Sequence, residues 1–309
     1  MSSPRVSRSV FGCTLAFGVG LAGVAGCGGS DVRAPFPNVT VTDQSADDMG
    51  LAAPEAESSG SEETASGDEG EEAPSADGAP PAPPRVVVGD STPLEGTTPR
   101  LRITAPEEGA TIRTGNVTVR LNLSDWPLAA PTGPHVHLIV DDEPYIAIRD
   151  VSAPIDLNAL VQASLGHELA EGTHVVRVFP SRGHHESVKD PGAFAAVTFH
   201  YRRRTEGFSF DASAPLLTYS RPKGCNVVGE RVLVDFFVTH ATLAPGGTRV
   251  RWTLDGRTGE ITAWLPHWIE LLPVGEHSLR LELIGPDGAL IPGPFNDTTR
   301  RFTVAERCG

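Results

Sequence analysis

The chain has 309 residues, of which 39 are acidic and 25 are basic, so its formal net charge at pH 7 is −14. This balance argues against nucleic-acid binding, because nucleic-acid-binding proteins neutralise phosphates with a basic surface. The sequence contains no Gly-x-Ser-x-Gly elbow, no His-Glu-x-x-His helix and no Gly-rich phosphate loop. We therefore expect a protein that is not an enzyme and has no nucleic-acid partner.

The first 26 residues have the pattern of a secretory signal peptide. Arg5 and Arg8 provide a short positive region, and an apolar stretch runs from Val10 to Val24. The small residues Ala25 and Gly26 follow it. That order is typical of a cleaved export signal, so we expect residues 1–26 to be removed and the remainder to leave the cytoplasm.

The end of this segment, Val24-Ala25-Gly26-Cys27, resembles the lipobox of bacterial lipoproteins. The resemblance implies that Cys27 is lipidated and becomes the new N-terminus, so the lipid would be the link to a membrane partner. Several buried acyl chains anchor a protein far better than one. In such lipoproteins Gly28 rather than Asp after the cysteine favours the outer membrane, and the resemblance therefore implies a cell-envelope protein of the outer-membrane type.

Residues 27–95 carry almost all the excess charge. From Gly28 to Glu95 there are fifteen acidic residues and two arginines, a net charge of −13. The segment is also rich in Ser, Gly, Ala and Pro. Such a composition buries too little apolar surface to offset the entropy of ordering, so we predict a disordered acidic tether.

Beyond the tether the pattern is that of β-strands. Val117, Val119, Leu121 and Leu123 alternate with polar residues, which is the period of a half-buried strand. Short apolar runs separated by Gly and Pro turns continue to the end of the chain. The single helical pattern spans residues 157–169. This spacing is typical of an all-β sandwich.

The β-rich region repeats itself. Val136 to Asp141 matches Val250 to Asp255, and Leu169 to His174 matches Leu272 to His277. A repeat of about one hundred residues predicts two domains of the same fold. The fold class is thus all-β, with two tandem immunoglobulin-like β-sandwich domains after the signal peptide and tether, at residues 96–203 and 211–309. They resemble immunoglobulin-like domains of the bacterial surface and periplasm.

Cysteine usage agrees with export. Cys13 lies in the signal peptide and Cys27 in the lipobox, which leaves Cys225 and Cys308. In an oxidising compartment these two are expected to form a disulfide. Idle thiols or a pair that binds a soft metal are the alternatives.

Four histidines fall into two groups when they are compared across the repeat. His174 and His277 occupy equivalent positions, which indicates a structural role near the corner that many immunoglobulin-like folds secure with a tyrosine. His135 and His137 instead match Arg249 and Arg251. Because arginine is rarely buried, we expect this face of the strand, and both histidines, to point to solvent.

Another histidine pair, His184 and His185 followed by Glu186, lies in a connection of the first domain. We expect this connection to lie at the same end of the sandwich as His135 and His137. These side chains could join His135 and His137 in a copper or zinc site, because imidazole suits both metals. The segment 172–199 is similar to periplasmic copper-binding immunoglobulin-like proteins, although it lacks their methionine-rich features. The alternative is a polar loop whose histidines never meet, with no cofactor.

Trp264 and Trp268 support a different hypothesis. Exposed tryptophans stack on sugar rings, so these two could bind glycan or peptidoglycan. Core packing is the commoner use of tryptophan.

The function predicted from these patterns is that of a non-catalytic, lipid-anchored envelope protein. Its tandem immunoglobulin-like domains would present an interaction or scaffold surface to an envelope protein or glycan partner. Copper or zinc binding by the histidines of the first domain is the first alternative, and glycan binding by the tryptophans is the second.

Overall fold

A computed structural model describes residues 82–94 and 96–309, and these residues are nearly all β. The lipobox, Cys27, the signal peptide and most of the acidic tether lie outside the described residues. The strands are β1 (Arg85–Val88), β2 (Arg100–Ala105), β3 (Ala110–Ile112), β4 (Thr118–Ser124), β5 (His135–Val140), β6 (Ile146–Ile148), β7 (Ile155–Asp156), β8 (Gly172–Ser181), β9 (Ala195–Tyr201), β10 (Leu216–Arg221), β11 (Cys225–Val227), β12 (Val232–Thr239), β13 (Arg249–Leu254), β14 (Arg257–Ile261), β15 (His267–Glu270), β16 (Gly275–Ile284) and β17 (Asp297–Ala305), with a helix α1 (Leu157–Leu165).

The strands form two sandwiches of the same topology. In the first sandwich, a sheet of order β2-β4-β7 faces a sheet of order β3-β9-β8-β5-β6. In the second, β10-β12-β15 faces β11-β17-β16-β13-β14. The fold-class prediction of an all-β chain with two tandem immunoglobulin-like sandwiches is confirmed.

Alternating side chains build each core. On β4, Val119 and Leu121 are buried while Thr118 and Arg120 are exposed, as expected for a half-buried strand. The helix α1 lies between β7 and β8 and buries Leu157, Val161 and Leu165 against the first core. It begins where the Asp156 carboxylate accepts a hydrogen bond from the backbone N–H of Ala159.

The duplicated histidines secure the same corner in both sandwiches. His174 Nδ1 lies 2.6 Å from Asp141 Oδ2, and its Nε2 lies 2.8 Å from the Ala170 carbonyl oxygen. His277 contacts Asp255 and the Pro273 carbonyl oxygen in the same way, at 2.7 and 2.9 Å. Each imidazole thus ties a late strand to the turn before it, which is the structural role expected from the repeat.

The Asp141 partner also sets the charge of His174. Burial alone would lower the pKa of this imidazole, but the hydrogen bond and ion pair with Asp141 outweigh burial and raise the pKa. Both partners of His174 are acceptors, so the doubly protonated ring satisfies both of them.

The tether prediction needs a correction at its C-terminal end. Residues Arg85–Val88 form β1, an edge strand that pairs antiparallel with β15 of the second sandwich. Val86 packs against the second core, and Arg85 forms an ion pair with Glu270. Three consecutive β-branched valines have high strand propensity and find an open sheet edge, so this part of the segment is ordered.

The two sandwiches pack face to face. The outer face of β5 and β8 lies against the outer face of β10 and β12, and aromatic and aliphatic side chains fill the contact. Its central cluster contains Ile139, Tyr145, Phe179 and Phe237. Residues that point away from the core of the first sandwich are therefore buried by the second.

Arg177 shows how far this interface is removed from water. Its side chain on β8 is almost fully buried, donates hydrogen bonds to Thr218 Oγ1 and the Asp141 carbonyl oxygen, and lies 3.8 Å above the ring of Phe295. Its equivalent in the second sandwich, Arg280, is 42% exposed and ion-paired at the surface. The repeat preserves the arginine, while the interface covers only one copy.

The prediction that His135 and His137 face solvent is wrong, because the second sandwich packs on that face of β5. Both alternate with Val136 and Leu138 and point away from the core of the first sandwich, as expected, yet both are 0% exposed. Their arginine counterparts were misleading, because Arg249 is itself largely buried and pairs with Glu260.

Cys225 and Cys308 are joined by a disulfide, with a Cα–Cα distance of 5.6 Å. The bond links β11 to the segment that follows β17, and the parallel pairing of those two strands brings the cysteines together. Within residues 82–94 and 96–309, no helix is long and apolar enough to cross a bilayer.

Candidate metal centre

Three histidines converge at the interface between the sandwiches. His135 and His137 lie two residues apart on β5, so both side chains leave the same face of the strand. His185 lies in the loop after β8 and has a positive φ of 68°. Hydrogen bonds from Arg182 N to Glu186 O and from His185 N to Arg182 O close that loop and turn His185 towards β5.

The imidazole nitrogens approach one another closely. His137 Nε2 lies 3.0 Å from His135 Nε2, and His185 Nδ1 lies 3.1 Å from the same His135 Nε2. One nitrogen of each of the three rings lies within 4.8 Å of the other two. The structure therefore brings together three members of the group predicted from the sequence.

Backbone and hydroxyl contacts orient two of the rings. His135 Nδ1 lies 2.9 Å from the Gly133 carbonyl oxygen, which can only accept, so Nδ1 carries the proton and Nε2 carries a lone pair. His137 Nδ1 lies 3.0 Å from Ser220 Oγ of the second sandwich. Metal-binding histidines are held in this way, with the outer nitrogen on a carbonyl or hydroxyl and the inner nitrogen at the ion.

Burial keeps the three rings neutral. It lowers the pKa of His135 to about 4, assisted by the positive charges of Arg149, Arg221 and Lys223. Burial likewise lowers the pKa of His137 and His185 well below the usual range, and Arg221 and Lys223 act on both. A neutral imidazole is the form that binds a metal.

His184 and Glu186 do not belong to the cluster, so this part of the predicted metal site is wrong. His184 is 47% exposed and its Nε2 lies 2.9 Å from Glu186 Oε2. The same carboxylate oxygen accepts a hydrogen bond from Thr92 Oγ1 at 3.0 Å. Neighbouring side chains on a tight loop point in different directions, so only His185 reaches the other two histidines.

Sequence reasoning missed Tyr145, which lies just before β6. Its ring stacks on His137 with a centroid distance of 3.6 Å and an interplanar angle of 9°. Its hydroxyl lies 3.0 Å from His185 Nδ1. Tyr145 is 2% exposed and lies in the cluster that fills the interface between the sandwiches, so no local pattern indicated its place.

The dimensions of the cluster fit a transition-metal ion. Zinc–nitrogen bonds are about 2.0–2.1 Å long, so two nitrogens on one tetrahedral ion lie about 3.3–3.4 Å apart. Two of the three nitrogen pairs are already 3.0 and 3.1 Å apart, and all three nitrogens lie within 4.8 Å of one another. Side-chain rotations that shorten the remaining distance by up to about 1.4 Å would close the set. Histidines 135, 137 and 185 are the residues that would hold the ion.

The predicted glycan-binding tryptophans do not form an exposed pair. Trp264 donates a hydrogen bond from Nε1 to the Phe236 carbonyl oxygen and packs edge-on against Phe237 at 4.8 Å. Trp268 lies beneath Arg231, whose Cζ is 4.9 Å from the ring centroid, and the chain just after β1 passes beside it at Gly89. Both rings are half-buried in packing contacts, as in the core-packing alternative, and do not form an open aromatic platform.

No family model matches the chain, and no curated protein matches it. Among solved structures, the fibronectin(III)-like modules of Clostridium thermocellum CbhA match 66% of this chain and 93% of theirs, with 13% identity and a TM-score of 0.24. Bacteroides ovatus SGBP-B, in complex with a mixed-linkage heptasaccharide, matches 68% of this chain and 71% of its own, with 12% identity and a TM-score of 0.20. The FN1–FN3 domains of chicken CNTN1 match 68% and 66%, with 9% identity and a TM-score of 0.21. Such values support no inference about ligand or partner.

Proposed function

We propose that this protein binds a transition-metal ion, Zn²⁺ or copper, through His135, His137 and His185. One observation carries the proposal. The Gly133 carbonyl oxygen fixes a lone pair on His135 Nε2, and two further imidazole nitrogens lie 3.0 and 3.1 Å from that atom.

Without an ion, this arrangement has an unfavourable hydrogen-bond balance. The single lone pair of His135 Nε2 can accept an N–H from His137 or from His185, but not from both. The other contact then places two imidazole nitrogens about 3 Å apart with no hydrogen between them. Protonation of the rings gives no relief, because burial and nearby cations disfavour the charged form. A metal ion accepts a lone pair from each ring and removes the conflict.

Burial supports binding rather than turnover. His135 and His137 are fully enclosed, and His137 also contacts Ser220 of the second sandwich. Closed sites of this kind hold an ion as part of the structure, whereas catalytic zinc sites keep a position open to water and substrate. The bound ion would therefore be a structural part of the first sandwich, at its junction with the second.

Calorimetric titration of the full chain with Zn²⁺ tests the proposal, using protein that has been stripped with chelator and carries no histidine tag. The His185→Ala variant is expected to bind Zn²⁺ more weakly by at least about 100-fold, the upper end of what loss of an outer partner costs. His185 is only half-buried, so this change leaves the stack of His137 on Tyr145 in place.

His184→Ala is the matched control, since it removes the adjacent, exposed imidazole. We expect its affinity to equal that of the unaltered chain. Equal and weak binding by all three proteins would show that the cluster is only a buried contact.

A second candidate function, a lipid-anchored envelope scaffold, is supported by the strand β1. The chain that leaves the acidic segment adds directly to the second sandwich, and that sandwich shares a buried face with the first. A membrane anchor at Cys27 would thus hold one rigid unit rather than two loosely joined domains, and would present it to partners in the envelope.

Fractionation of cells that express the full chain tests the anchor. The Cys27→Ser variant is expected to move from the membrane fraction to the soluble fraction, because the acyl chains supply the membrane affinity. Cys13→Ser is the control, since Cys13 lies within the predicted signal peptide, and this variant should stay with membranes. Retention of the Cys27→Ser protein after a carbonate wash would contradict lipid anchoring.

A further inference from the structure

The surroundings of the histidine cluster are strongly positive. Arg149, Arg221 and Lys223 all lower the pKa of His135 and of His185, so three cations lie within electrostatic reach of both rings. Arg149 Nε is also buried without a hydrogen-bond partner among the described residues. Three neutral imidazoles offset none of the charge that a divalent ion brings to such a place, whereas an anionic ligand would offset part of it.

Tyr145 is the group placed to supply that ligand. Its hydroxyl lies 3.0 Å from His185 Nδ1, one of the three converging nitrogens. Its ring lies parallel to that of His137, at 3.6 Å between centroids, so both side chains project from the first sandwich together. The hydroxyl thus continues the series of potential ligand atoms His137, His135 and His185 at the same spacing of about 3 Å.

Two of the cations lie against the ring of Tyr145. Lys223 Nζ is 4.3 Å from the ring centroid, and Arg221 Cζ is 5.5 Å from it. Both come from the second sandwich, from the end of β10 and the turn that follows. A negative charge on the phenol oxygen would therefore be stabilised by the ion on one side and by these two cations nearby.

We propose that Tyr145 is the fourth ligand of the metal, bound as the phenolate oxygen, so that the centre contains three histidines and one tyrosine. This inference rests on the proposed metal binding. On binding, the phenol O–H bond breaks, an oxygen–metal bond forms and the proton passes to solvent. The first sandwich then supplies all four ligands, and the second places Lys223 and Arg221 beside the phenolate.

Loading the full chain with Cu²⁺ tests the fourth ligand directly. A phenolate bound to Cu²⁺ gives a visible ligand-to-metal charge-transfer band, which imidazole ligands alone do not give. We expect the band in the unaltered protein, its loss in Tyr145→Phe, and a lower but measurable copper affinity in that variant. Tyr201→Phe is the matched control, since Tyr201 is also buried but lies on β9 away from the cluster, and it should keep the band.

Proton release provides a second measurement, which does not depend on an absorption band. Calorimetry of Zn²⁺ binding in buffers of different ionisation enthalpy should show one proton more released by the unaltered chain than by Tyr145→Phe. Copper bound without the band, or equal proton release by the two proteins, would overturn the tyrosine ligand and leave three-histidine binding intact. Failure of the unaltered chain to bind either metal would overturn the proposed function itself.

Discussion

Replacing Lys189 with alanine is expected to lower the free energy of unfolding by about 3–5 kcal/mol. Lys189 Nζ lies in the loop after β8 and donates to Asp235 Oδ1 of β12, so the pair joins the two sandwiches. The side chains are 9% and 0% exposed. Removing one partner leaves the other charge buried without compensation, which is far more costly than losing an exposed ion pair.

Urea unfolding of the full chain measures this effect. Asp235→Ala should be similarly destabilising, and the double variant should lose less than the sum of the two single losses, because it leaves no unpaired charge. Arg203→Ala breaks the pair with Glu171, whose side chains are 67% and 48% exposed, and serves as the control with an expected change below about 1 kcal/mol. Additive losses in the double variant would mean that Lys189 and Asp235 are not coupled.

The fold could be predicted because its information is local and repeated. Alternation on β4 fixes which residues face the core, and the matched segments that contain His174 and His277 fix the same corner twice. The Asp141 and Asp255 partners occupy equivalent places in the repeat, so the contact predicted in one sandwich supports the same prediction in the other. Strand period and duplication require no knowledge of what lies beyond a single sandwich.

The candidate site could be predicted only in part, because the packing of one sandwich on the other leaves no periodic signal. Alternation correctly placed His135 and His137 outside the core of the first sandwich, but it could not show that a second sheet covers them. Alternation also could not show which of His184 and His185 points towards β5, since the direction of a side chain in a tight loop depends on backbone angles such as the positive φ of His185. Tyr145 was missed for the same reason.

The ordered end of the tether could have been recognised from composition. Most of the acidic segment consists of small and charged residues, whereas Val86, Val87 and Val88 form a short β-branched run. Averaging charge over the entire segment concealed that run. Its pairing partner β15 lies about 180 residues further along the chain, at a distance that no sequence window spans.

Breaking the disulfide is the other change from which we expect a large loss, of about 4–5 kcal/mol by the chain-entropy estimate for a loop of this length. Cys225 and Cys308 are 83 residues apart, so the bond encloses nearly the entire second sandwich. Opening it increases the entropy of the unfolded chain, and it frees the edge strand β11 and the C-terminal segment in the folded protein. Urea unfolding of a Cys225→Ser/Cys308→Ser variant measures the loss. Unaltered protein unfolded in reductant should show the same decrease, because both treatments remove only the crosslink. An unfolding free energy that neither treatment changes would mean that the bond does not restrain the unfolded chain.

The effect should also be separable from that of Lys189→Ala, since the crosslink lies within one sandwich and the ion pair joins two. Combining the two changes should therefore give losses that add, as expected for sites that share no partner.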